Sequence, residues 1–203
     1  TCGSVVQKQI LWQRLNESDA QLPRELLAEM VAEAEPDSHS VDHLVISLDK
    51  LPPYERHQST GLGRSLHEFV DRFPIDGDKQ AITQLIDGLY GYLNRPPYVE
   101  RRECRVSEGY AWLLSPAIHV VERLVVARSA IALVATAQSI MLMVPALRFW
   151  SGGSFSEYKG SLQTLVPEWP ELNDALYWAS IDQVRAAQVK KSGESLTNDR
   201  LVS

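Results

Sequence analysis

Eleven prolines punctuate this chain, and between them apolar residues recur every three or four positions. Proline lacks an amide hydrogen and clashes with the preceding turn, so it opens or ends helices. Apolar spacing near 3.6 lines one face of a helix, whereas a half-buried strand alternates at every second position. Stripes of the first kind, closed by prolines, predict an all-α protein: a layered helical bundle or a short HEAT-like α-solenoid.

Val5, Val6, Ile10, Leu11, Trp12 and Leu15 mark a first helix from about Ser4 to Asn16. Pro23 opens a second, striped by Leu26, Leu27, Met30 and Val31 and stopped by Pro36. Between Ser38 and Leu51, Val41, Leu44 and Leu48 fit a helix capped by Asp37 or Ser38. Leu44 to Leu48 alone would also fit a short buried strand, but no partner strand is in sight, which favours helix. A helix from Ser59 to Phe73 follows the Pro52-Pro53 break, and Asp76 or Asp78 caps the next, buried through Ile82, Leu85, Ile86, Leu89 and Leu93. Val99 to Leu114 reads as helical or turn-like, Pro116 opens the longest apolar stretch, and a last helix runs from Trp169 or Pro170 to Val189. One helical domain is therefore expected over 1–189, with a sub-boundary near 50 and a loop at 151–160. The polar residues 190–203 read as a disordered tail.

Leu51-Pro52-Pro53-Tyr54-Glu55-Arg56 recurs, with one insertion, as Arg95-Pro96-Pro97-Tyr98-Val99-Glu100-Arg101. Pro52 and Pro96 stand 44 residues apart, within the period of roughly 40–47 typical of HEAT-type repeats. These breaks, alternating with amphipathic helices over Val41 to Arg128, resemble the HEAT-like helical regions of large bacterial signalling NTPases of the STAND/NACHT type. The resemblance implies a helical-repeat module beside an NTPase core. No NTPase motif occurs in this chain, so it implies no catalytic residue here.

A net charge of −6 argues against nonspecific nucleic-acid binding, which needs a basic surface. Two cysteines make no disulfide framework, and the chain opens without a basic-then-apolar leader, so a cytoplasmic setting is expected. Ser129 to Leu147 carries no charge and approaches the ~20 residues of a spanning helix. Ser129, Thr136, Gln138, Ser139 and Pro145 interrupt it, so a helix buried in protein is favoured over a membrane role. Peripheral membrane association through 129–147 stands as one alternative.

The residues that carry chemistry are sparse. Gly61-Leu62-Gly63-Arg64-Ser65 lacks the spacing and lysine of a phosphate loop. No Gly-x-Ser-x-Gly elbow occurs, and Cys104 has no base nearby in sequence. His39 and His43 share a helix face at a spacing that can hold zinc, but no further ligand is evident, and two surface histidines are the simpler reading. His119 and Glu122 stand three apart and could form an acid/base pair, although a hydrogen-bonded histidine at the edge of a core is the commoner arrangement and is favoured. No metal, cofactor or catalytic residue is assigned. An enzyme or regulatory site would have to combine distant residues, with His39, His43, His119 and Glu122 the candidates.

Charge patterning is more specific. Glu25, Glu29 and Glu33 repeat every four residues without an interleaved cation, and such like charges repel on a helix. The first fifty residues hold four basic against nine acidic side chains, a net charge of −5. Arg95, Arg101, Arg102 and Arg105, with Tyr98 between them, form the densest basic cluster. On a helix Arg101 would align with Arg105 and Tyr98 with Arg102, although the interspersed Glu100, Glu103 and Glu108 favour a solvated, salt-bridged face. Glu25, Glu29, Glu33, Tyr98, Arg101, Arg102 and Arg105 are the candidate binding residues, the ridge meeting either the arginines or another chain. The leading reading is a noncatalytic, helical-repeat scaffold that binds a protein partner.

Overall fold

The computed structural model describes residues 5–52, 61–101, 104–149 and 164–199. The 151–160 loop, Arg102, and Tyr54 of the first Pro-Pro-Tyr break lie outside them. The described elements are α1 (Val5–Glu17), α2 (Arg24–Glu33), α3 (Ser38–Asp49), α4 (Gly61–Arg72), α5 (Lys79–Leu93), β1 (Tyr98–Arg101), β2 (Cys104–Ser107), α6 (Leu114–Val126), α7 (Leu133–Phe149) and α8 (Pro170–Asp199). The fold is all-α, apart from one two-stranded hairpin.

Local chemistry explains the helix starts. The Asp37 carboxylate accepts from the Ser40 amide at 2.7 Å while Ser40 Oγ accepts from the Asp37 amide at 3.0 Å. This reciprocal box satisfies two otherwise orphaned donors and settles the 38–49 segment as helix. Asp78 caps α5 through the Gln80 amide at 2.8 Å.

From α1 to α5, each helix packs on the one two places along. α1 lies on α3, α3 on α5 and α5 on α7, while α2 lies on α4 and α4 on α6. Contacts of α2 with α3, α5 with α6 and α6 with α7 join the two rows, and α8 lies on α7. Stacking of this kind is solenoid-like, because every element leans on near neighbours in sequence. The shared core includes Leu27, Leu44, Phe69, Leu85, Ile118 and Leu124, all fully buried. Gly88 allows α5 to approach α3 closely: a Cβ there would stand 2.7 Å from Val45 Cγ2. One turn on, Tyr92 Oη donates to the Val45 carbonyl at 2.6 Å.

Three expectations are corrected. Residues 98–107 form an antiparallel hairpin, with Tyr98 opposite Ser107 and Glu100 opposite Arg105, where the sequence predicts a helical or turn-like segment from Val99. Val106 and Ser107 are buried and β2 packs on α7 and α5, so tertiary burial rather than a 3.6 period governs this stretch. Tyr98 therefore opens a strand, so the second Pro-Pro-Tyr break is not followed directly by a helix.

The uncharged 129–147 run is not one buried helix. Arg128 takes a left-handed backbone (φ 49°) after α6. Its amide donates to the Val125 carbonyl at 3.1 Å, and that of Ser129 donates to Leu124 at 2.9 Å. These two bonds close the helix end as a Schellman motif, and α7 begins only at Leu133. Ala135, Thr136, Ser139 and Ile140 are buried, but Val134 is 67% exposed. Leu142 and Val144 lie outside the described side chains. Among the described residues no helix is long and apolar enough to cross a membrane.

Finally, α8 continues to Asp199, through residues whose polarity predicts a disordered tail. Extending an existing helix fixes one residue per added bond, which is far easier than nucleating a new one.

Candidate functional site

The first two helices enclose a groove of about 270 Å³. α1 contributes Lys8, Leu11 and Trp12, and α2 contributes Leu26, Glu29, Met30 and Glu33. The α2 set follows i, i+3, i+4, i+7, the spacing that brings side chains onto one helix face. Its floor is apolar and its rim is charged. Leu11 is 48% exposed and neighbouring Ile10 45% exposed, so apolar surface continues out of the groove along α1. On the rim, Lys8 Nζ pairs with Glu33, while Glu25, also exposed, extends the acidic ridge by one turn.

A polar chain fastens α1 to α3 beneath this groove. Trp12 Nε1 donates to Ser47 Oγ at 2.7 Å, and the indole stacks on His43 with ring centroids 5.7 Å apart. Ser47 Oγ lies 2.8 Å from Asn16 Oδ1 and 2.7 Å from the His43 carbonyl, and its single proton serves those two acceptors. Asn16 Nδ2 donates to the His43 carbonyl at 2.9 Å and to His43 Nδ1 at 3.2 Å. An Nδ1 that accepts leaves the ring proton on Nε2, which faces His39 Nε2 at 3.0 Å. Burial pushes the His43 pKa down, and His39 adds to the effect; Asp42, Asp37 and Glu17 oppose it. At the end of α1, Lys50 Nζ donates to the Leu15 carbonyl at 3.1 Å and also to those of Asn16 and Ser18.

A second histidine pair lies between α4 and α6. His67 Nε2 stands 2.9 Å from Ser115 Oγ, and its ring stacks on His119 at 4.5 Å. His119 Nε2 stands 2.6 Å from Asp71 Oδ1, with Glu122 Oε2 4.0 Å from its Nδ1. Burial lowers the His67 pKa, His119 lowers it further, and Asp71 opposes. Arg123 reaches across the same seam to the Val70 carbonyl.

The sequence-predicted residues are thus divided. His39 and His43 fall at the α1/α3 seam, and His119 and Glu122 at the α4/α6 seam, so these four do not form one site. His43 is not a surface histidine: it is 8% exposed. His39 and His43 bond each other, and among the described residues no group of three His, Cys, Asp or Glu is arranged to hold a metal. His119 is a hydrogen-bonded histidine at the edge of the core, as its sequence context predicts.

Of the acidic ridge, Glu29 and Glu33 reach the groove, and the cation found on Glu33 is Lys8. The helical alignment expected for Arg101 and Arg105 does not form, because they stand on opposite strands of the hairpin. Tyr98 is half-buried and its Oη donates to the Asn94 carbonyl at 3.0 Å. Sequence reasoning missed Lys8, Asn16, Ser47 and His67. A charged residue within the first amphipathic stripe was the only available signal, and it points to Lys8 alone.

Comparison of the chain with protein-family models, with curated proteins and with solved structures finds no match.

Proposed function

We propose that this chain is a noncatalytic protein-interaction module whose α1/α2 groove receives a basic amphipathic helix of a partner protein. The observation that carries the reading is an apolar floor of Leu11, Trp12, Leu26 and Met30 bounded by the carboxylates of Glu29 and Glu33. A volume of about 270 Å³ falls just below the roughly 300–1,000 Å³ of small-molecule pockets. It suits one or two inserted side chains, as in helix-in-groove recognition. Lysine or arginine flanking those anchors would meet the ridge, displacing Lys8 from Glu33. The net charge of −5 over the first fifty residues favours encounter with a basic surface. The resemblance to helical regions of signalling NTPases fits a scaffold of this kind within a larger assembly.

The test uses a helical leucine–lysine peptide with leucines at i, i+4 and i+7, its binding followed by fluorescence anisotropy. Binding should weaken with salt and by on the order of tenfold in Glu25→Gln/Glu29→Gln/Glu33→Gln. Leu11→Asp should block the floor, and a leucine–glutamate peptide should not bind. Equal binding of both peptides, or wild-type binding by the triple variant, would overturn the reading.

A further inference from the structure

We propose that the α1/α3 seam is a proton-operated latch: a proton on His43 releases α1 from α3 and dismantles the groove. The consequence for binding rests on the groove reading above; the latch itself does not.

The first ground is how narrowly α1 is buried, with Leu15 only partly covered where it packs against the core. Among its described side chains only Trp12 is buried, at 3% exposure. That residue both floors the groove and joins the polar chain, donating to Ser47 and stacking on His43. Hydrogen bonds are directional and conditional on protonation in a way that apolar burial is not.

The second ground is that the chain tolerates only one state of the ring. Asn16 is oriented by three contacts: Nδ2 to the His43 carbonyl, Nδ2 to His43 Nδ1, and Oδ1 to Ser47 Oγ. Protonating His43 turns Nδ1 into a donor facing an amide donor. Flipping the Asn16 amide would repair that pair, but it would set Oδ1 against the His43 carbonyl, acceptor against acceptor. No orientation of Asn16 satisfies a protonated His43, and the new charge is buried beside Trp12 with the His39 ring at 3.0 Å.

The charged and titratable groups bearing on His43 are His39 and Asp42 of α3, Asp37 at its N-cap and Glu17 from α1; α2 and α5 bring none to bear among the described residues. The three carboxylates favour the proton, but burial and His39 outweigh them. The sign follows. A lowered folded value means that the released state takes the proton first, so the latch is intact above the ordinary imidazole value of 6.5 and weakens as pH falls below it. The Lys50 bonds to the last carbonyls of α1 involve neither histidine. They leave that end tethered as a pivot while Lys8, Leu11 and Trp12 swing away from α2.

Two-dimensional NMR of the whole chain between pH 7.5 and 5.5 tests this, with the leucine–lysine peptide titrated at each end. Expected on acidification are a shift of the Trp12 indole N–H out of its bonded position and faster exchange of α1 amides, with those of α4 and α6 still protected. The His43 ring nitrogens should titrate at the same midpoint as the Trp12 indole, and peptide affinity should fall on the order of tenfold. His43→Gln, which can still accept from Asn16 but cannot titrate, should stay latched at pH 5.5. A Trp12 indole that does not move, or a His43 titration with a different midpoint, would overturn the latch without any variant; so would an unchanged transition in His43→Gln. A peptide that fails to bind even at pH 7.5 while Trp12 titrates as expected would overturn the groove reading and leave the latch standing.

Discussion

α1 and α4 are of nearly equal length, 13 and 12 residues, yet they are held by different physics. α4 buries Leu62, Leu66, Phe69 and Val70 between α2 and α6. Among the described side chains of α1 only Trp12 is buried, and its attachment to α3 runs through polar contacts of Ser47, Asn16, His43 and Lys50. Both seams hold a histidine whose pKa burial lowers, His43 in one and His67 in the other. In the α4/α6 seam the histidine is an addition to a broad apolar contact, whereas in the α1/α3 seam it is a main fastening. A seam built on burial resists acid; one built on a few directional bonds can be undone by a single proton.

The largest expected effect breaks the stronger side of this comparison. Phe69→Ala should cost about 3–5 kcal/mol because the ring is fully buried and meets Phe73 at 5.8 Å. Urea unfolding followed by circular dichroism checks it, and the loss should be global, since α4 joins α2 to α6. A loss confined to α4 would mean that the two seams are more alike than their burial indicates.

Asn16→Ala sharpens the weaker side. It leaves His43 Nδ1 without its donor at a part-buried site and should cost roughly 1–3 kcal/mol, but of local stability. Hydrogen exchange should show α1 amides opening while the urea midpoint of the whole domain barely moves. A full shift of the global midpoint would show that α1 unfolds with the rest and is not a separately released element.

The smallest effect separates the two histidines. Because the folded pKa of His67 is lowered, the unfolded chain takes that proton first; stability is insensitive to it above the ordinary value of 6.5 and declines below. His67→Gln should therefore flatten the global stability profile between pH 6.5 and 5.5 without altering the α1 exchange transition. If it abolishes that transition, the α4/α6 seam and not His43 governs α1.

Much of the helical frame was legible in the residues. Pro23, Asp37, Asp78 and Pro116 act within a turn of themselves, and so the starts of α2, α3, α5 and α6 could be read directly. Hairpin residues 98–107 were misread because four-residue strands are too short to show a period, and the burial of Val106 and Ser107 that holds them comes from other elements. The acidic ridge was legible as repeating charge, but its position on the rim of a groove was not: Lys8 and Glu33 are 25 residues apart.

Sequence alone determined that this chain is helical and where most of its helices begin and end, because capping, proline geometry and apolar periodicity act over a few neighbouring residues. Tertiary structure decided which faces meet. A stripe states that a helix face will be buried, not against what. The Trp12–Ser47 bond spans 35 positions and the Asn16–His43 contact 27, separations at which lone polar residues leave no periodic trace.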